Sequence, residues 1–155
     1  MTAGLLYIHQ QGNMKIQIIN GANLNLLGKR EPEIYGHRSF ETYFMELQER
    51  YSHIGLFHFQ SNIEGEIINH IQQVGYEFDF LILNAGGYTH TSVSIADALS
   101  AVPIKAVEVH LSNIFSREEY RHTSVIAPRC VGSISGFGLD SYRLAVEACM
   151  EIFND

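Results

Sequence analysis

The stretch Phe80–Ser92, FLILNAGGYTHTS, decides how this chain is read. Phe80, Leu81, Ile82 and Leu83 follow one another without a charge. Such a run suits a strand covered on both faces, as at the centre of a parallel sheet. Asn84 ends it, and Gly86-Gly87 then permit backbone angles that a side chain would forbid. Thr89, His90, Thr91 and Ser92 lead into a new apolar-periodic segment, with Thr91 or Ser92 as its cap. A buried strand thus ends in a tight polar loop that opens a helix. In open α/β sheets ligands bind outside the carboxyl ends of the strands. Asn84, Thr89 and His90 stand at such an end.

The flanking segments repeat the alternation. Lys15–Asn20 (KIQIIN) has strand composition and stops at Gly21. Ser39 precedes Phe40, Tyr43, Phe44, Leu47 and Tyr51, which follow the 3.6-residue period of an amphipathic helix. Leu56–Gln60 reads as a second strand. Ile63, Ile67, Ile68, Ile71 and Val74 form the stripe of a second helix, stopped by Gly75. Val93, Ile95, Ala96, Ala98, Leu99 and Val102 belong to a third helix ended by Pro103, and Ile104–Val109 is a fourth strand. His110–Arg121 reads as a polar loop passing into a short helix, Val131–Ser135 as a fifth strand and Leu139–Phe153 as a terminal helix. The order implies a five-stranded parallel sheet with helices on both faces, an α/β fold of flavodoxin-like winding.

With 155 residues, a single domain is expected. It comprises residues 14–155, with residues 1–13 as an extension ahead of the first strand. A chain this long buries roughly 68–70% of its unfolded surface and folds without a staple. The net charge of −7 argues against a nucleic-acid partner. Cys130 and Cys149 lie in apolar segments and read as buried free thiols of a reducing compartment. No run approaches the roughly 20 apolar residues of a membrane span, and the N-terminal run lacks a signal-peptide pattern. A cytoplasmic location follows as an expectation.

Three loops, residues 20–36, 84–92 and 110–121, follow strand ends and so share one edge of a parallel sheet. Glu108 and His110 are two apart on one strand and point the same way. A carboxylate beside an imidazole fixes its tautomer and favours its protonated form, as a general acid requires. A structural ion pair at a strand end is the alternative. Arg117 and Arg121, four apart on the short helix, share a face and suit an anion or hydroxyls, or else they simply face solvent. The segment 22–38 is long for a connection, as functional lids are. It carries Arg30 and Tyr35. A tyrosine base at pH 7 needs its pKa lowered by about 3 units, roughly 4 kcal/mol, and guanidinium charges act in that direction. The other histidines show no metal-ligand spacing.

Several runs together resemble one family, type II 3-dehydroquinate dehydratase. They are NGANLNLLGKREPEIYG (20–36), QSNIEGEII (60–68), ILNAGGYTHTSVSIADAL (82–99), EVHLSN (108–113) and REEYRHTSVIAP (117–128), and the resemblance spans about Lys15 to Phe153. It implies a flavodoxin-like fold and a trans-dehydration of 3-dehydroquinate to 3-dehydroshikimate that needs no cofactor and no metal. The setting is the shikimate pathway, or quinate catabolism in some organisms. By resemblance, Tyr35 is the base and Arg30 lowers its pKa. Asn23 holds a water on the enolate oxygen, and His110 is the acid, oriented by Glu108. Asn84, His90 and Arg121 bind ring hydroxyls, and the Leu111–Ser112 region takes the carboxylate. Arg117 matches a lid-loop arginine. Asp97 reaches a neighbouring subunit's site, since the family forms trimers assembled into homododecamers.

The chain departs from the pattern at Ala22, where the family usually has proline, and at Ser116 and Tyr120, which replace alanine and phenylalanine. A flavin- or nucleotide-binding module would want a phosphate loop after the first strand, which NGANLNLLG is not. A non-catalytic scaffold of the same fold would be expected to have lost residues such as Tyr35 or His110, and both are present.

Overall fold

Alternate residues of the uncharged run enter different cores. Phe80 and Ile82 pack with Ile16, Ile18, Val107 and Val109, whereas Leu81 and Leu83 pack with Ile19, Ala85 and Ala106. A strand can fill two cores only if helices cover both faces of its sheet. The structure, a computed structural model, describes residues 13–29, 33 and 37–155. Its strands are β1 (Lys15–Asn20), β2 (Gly55–Gln60), β3 (Phe80–Asn84), β4 (Lys105–His110) and β5 (Gly132–Ser135). All pair in parallel, in the order β2-β1-β3-β4-β5. This is the flavodoxin-like winding that the sequence predicts.

Among the described residues four helices cover the sheet: α1 (Phe40–Arg50), α2 (Glu64–Val74), α3 (Val93–Ala101) and α4 (Asp140–Asn154). Phe40, Tyr43 and Leu47 of α1 join Tyr142, Ala145, Val146 and Cys149 of α4 in the first core. Ile67, Ile71 and Val74 of α2 join Ile95, Ala98 and Leu99 of α3 in the second. The periodic stripes are thus the buried faces, except at the first positions of the second and third stripes. Ile63 and Val93 are exposed, because each lies at a helix start and turns away from the sheet. Of the two candidate caps before α3, Ser92 does the work, its Oγ accepting from the Ile95 N–H at 3.0 Å. Ser39 caps α1 in the same way through Thr42. Each such cap is worth about 1 kcal/mol. Both cysteines are free thiols, but only Cys149 is fully buried; Cys130, in the turn before β5, is half-buried.

The loops after β1 and β3 are pressed together. The Gly21 N–H donates to the Asn84 carbonyl at 2.7 Å. A Cβ at Gly86 would lie 2.8 Å from the Ala22 carbonyl oxygen, and Gly86 has φ +60°. Asn23 has φ 69°, and its N–H donates to Asn62 Oδ1 at 2.9 Å. Asparagine tolerates this left-handed region better than most residues. The turn therefore forms with Ala22 in place of proline.

Candidate active site

An open pocket of about 150 Å³ lies at the carboxyl edge of the sheet. Residues 22–27, 84–90 and 110–121 all contribute to its walls, so the three loops converge as parallel strands require. Asn23, Asn84, His90, His110, Leu111, Ser112, Arg117 and Arg121 line it. Glu108 stands directly behind His110. Asp97 lies apart from these walls, exposed on α3. Arg30 and Tyr35 lie outside the described residues.

The floor is a buried acid–imidazole pair. Glu108 is 2% exposed and His110 6%. His110 Nε2 stands 3.4 Å from Glu108 Oε2 and has no better partner among the described residues. At that distance the contact is a loose ion pair rather than a well-formed hydrogen bond. Two hydroxyls complete the carboxylate's shell. Ser124 Oγ donates to Oε1 at 2.5 Å and Ser133 Oγ to Oε2 at 2.9 Å. Ser133 is the register partner of Glu108 across β4 and β5. Burial alone would raise the carboxyl pKa. His110 and the two serines outweigh it, so Glu108 is held below its ordinary range and stays ionised.

His90 faces the same space, its ring 6.2 Å from that of His110 and nearly parallel to it. The Thr123 carbonyl lies 2.8 Å from His90 Nδ1. A carbonyl only accepts, so Nδ1 carries the proton and Nε2 is left for the pocket.

The arginine segment corrects one expectation. Residues 117–121 form no α-helix: short 3₁₀ turns at Ile114–Ser116 and Glu119–Arg121 flank an extended Arg117. The i,i+4 geometry that would place Arg117 and Arg121 on one helix face is absent. Glu118 gathers them instead, with its carboxylate 2.8 Å from Arg121 Nε and 3.8 Å from Arg117 Nε. Its own backbone N–H and the Arg121 guanidinium hold Glu118 at a pKa of about 2. Arg117 Nη1 also reaches Ser112 Oγ at 3.4 Å. Arg117 and Arg121 line the pocket whereas Glu118 and Glu119 do not, so the charges facing the space are cationic, which suits an anionic ligand.

Ser124, Ser133, Asn62 and Tyr142 support the site but had no place in the sequence reading. Ser133 could have been found once β4 and β5 were set in register. Tyr142 carries no local signal, because it reads as one more apolar position of a helix.

Comparison with known proteins gives the family and agrees with the fold. The family model for Dehydroquinase class II matches residues 14–150. The chain belongs to the class II dehydroquinases. It is 55% identical over 138 residues to a 3-dehydroquinate dehydratase of Clostridium perfringens, covering 87% of this chain and 96% of that one. It is 50% identical over 143 residues to one from Caldicellulosiruptor bescii, covering 90% and 99%. Its fold matches the crystal structure of a type II dehydroquinase from Butyrivibrio crossotus with a TM-score of 0.85, at 45% identity, over 88% of this chain and 97% of that one. Proteins of this family are hydro-lyases, and the chain is one by membership. No helix among the described residues is long and apolar enough to cross a membrane.

Proposed function

We propose that the pocket eliminates water from 3-dehydroquinate to give 3-dehydroshikimate, the dehydration of the shikimate pathway. The observation that carries this reading is the Glu108–His110 pair, an ionised carboxylate behind an imidazole on the pocket floor. Tyr35, as a phenolate favoured by the Arg30 charge, takes the proton from C2. The electron pair moves onto the adjacent ketone as an enolate, next to a water held by Asn23. The enolate collapses and expels the C1 hydroxyl as His110 delivers a proton to it. Water leaves and a C1–C2 double bond remains. Glu108 holds Nε2 of His110, which leaves Nδ1 as the nitrogen for the substrate. A positioned acid and a positioned base each contribute about 10²–10⁴-fold, and the enolate's fixed polar surroundings add to this.

Asn84, His90 and Arg121 take the ring hydroxyls, the Leu111–Ser112 turn takes the carboxylate, and Arg117 closes over it. The two arginines that line this wall are the physical support for a carboxylate there. Residues 14–155 act as one catalytic domain in the cytoplasm. The exposed Asp97 completes a neighbour's site within a trimer, and four trimers form a homododecamer. Sedimentation should then give a mass near twelve times the 17.5 kDa of one chain.

The direct test follows absorbance as purified protein meets 3-dehydroquinate, because only the product has a double bond conjugated to its carboxylate. The rise should survive chelator and prior borohydride treatment, and Tyr35→Phe should abolish it while the fold persists. No rise from folded wild type would overturn the reaction. Wild-type rates in the variant would overturn Tyr35 as the base.

A further inference from the structure

Beneath the pocket runs a chain of buried polar side chains, of which the elimination scheme uses only Asn84. Asn20 and Asn84 are register partners at the carboxyl ends of β1 and β3. Tyr142 of α4, fully buried, lies between their amides. Asn84 Nδ2 donates to the Tyr142 oxygen at 2.9 Å, and that hydroxyl donates to Asn20 Oδ1 at 2.7 Å. Asn20 Nδ2 lies 3.2 Å from Nε2 of His58 on β2.

The direction of every bond in this chain follows from one backbone group. The Gly86 N–H can only donate, and its partner is Asn84 Oδ1 at 3.2 Å. The other end of that amide is therefore the NH₂ group, and the Tyr142 oxygen must accept from it. A phenol has one proton, and Tyr142 spends it on Asn20, whose carbonyl end must face the hydroxyl. The NH₂ of Asn20 then faces His58, so Nε2 of His58 must be the bare, accepting nitrogen. Rotating any one amide would set two donors or two acceptors against each other in a dry interior, at a cost of about 1–3 kcal/mol per unpaired group. Phe40 and Phe44 of α1 pack against the His58 ring, and burial there disfavours the imidazolium, which Glu41 only partly offsets.

We propose that Tyr142 is a positioning residue for the pocket: with the Gly86 N–H, which sets the direction, it holds the amide of Asn84 so that an N–H is presented to a substrate oxygen. Asn84 Nδ2 has two protons. Tyr142 engages one of them, and among the described residues the other has no protein partner. The inference rests on the reading of Asn84 as a substrate-binding residue.

Three measurements on the full chain test it together. Nitrogen-15 correlation spectra of the wild type should show His58 neutral, with its proton on Nδ1; a proton on Nε2 would overturn the directional chain without reference to any variant. Tyr142→Phe keeps the ring and removes the hydroxyl. It should raise KM for 3-dehydroquinate about tenfold, more than it lowers kcat, and should let both His58 tautomers appear. A variant that is merely less stable, with wild-type KM and an unchanged His58 signal, would overturn the proposal. Asn84→Ala is the control. If it leaves KM unchanged, the pocket reading fails; if it raises KM while Tyr142→Phe does not, the locking role alone fails.

Discussion

Glu108 shows how a single buried charge is kept. Its carboxylate faces two serine hydroxyls and an imidazole, and these outweigh the burial that would otherwise neutralise it. Its pKa in the folded chain lies below the ordinary value of 4.5. A depressed value means that the ionised group stabilises the fold above the unfolded pKa, and that this contribution is lost as pH falls through the folded one. The urea midpoint of wild type should therefore exceed that of Glu108→Gln by a constant margin near neutrality, with the gap closing below about pH 4. A margin that widens in acid would contradict the assignment. On activity, His110→Asn should lower kcat by about 10²–10⁴-fold. Glu108→Gln should cost less, because it misaligns the proposed acid without removing it.

At the scale of elements, the site depends on two loops meeting. Gly86 combines φ +60° with a backbone oxygen 2.8 Å from where a Cβ would stand. Gly86→Ala should cost about 1–3 kcal/mol through strain alone, read as a lower urea midpoint. It should also raise KM, because the turn it displaces carries Asn23 on one side and His90 on the other. An alanine variant with wild-type stability would mean that the two loops do not touch. Helix starts behave more simply. Ser92→Ala removes the cap on Ile95 and a hydrogen bond to Glu64, and should cost about 1–2 kcal/mol without changing kcat. The periodic stripes made these helices legible in the sequence. The arginine segment was not legible in the same way. Two residues four apart look helical in any polar run, yet Glu118 gathers Arg117 and Arg121 around itself in 3₁₀ turns too short to show a period.

At the scale of the whole molecule, the two cores lie on opposite faces of one sheet, so the central strand joins them. Cys149 lies in the first core, and Cys130 packs beside the second. Burial pushes both thiols to a pKa of about 12, Cys130 with a further push from the Glu108 charge. Few thiolates exist at neutral pH, so a thiol reagent should label Cys149 only as fast as the chain unfolds globally. Urea should expose Cys149 in the main unfolding transition, whereas half-buried Cys130 is already partly accessible. Rapid labelling of Cys149 in the native state would show that α4 opens on its own.

By itself the sequence determined the succession of strands and helices, the faces they bury and the doubly covered central strand, and so the edge on which three polar loops meet. Those features are written in residues a few positions apart, where periods of 2 and 3.6 act directly on burial. Only the tertiary structure decided which polar groups face one another. Ser133 meets Glu108 through strand register. Tyr142 joins Asn84 across 58 positions and Asn20 across 122. Contacts over such separations exist only once the sheet has closed and α4 has packed down, so no local pattern carries them.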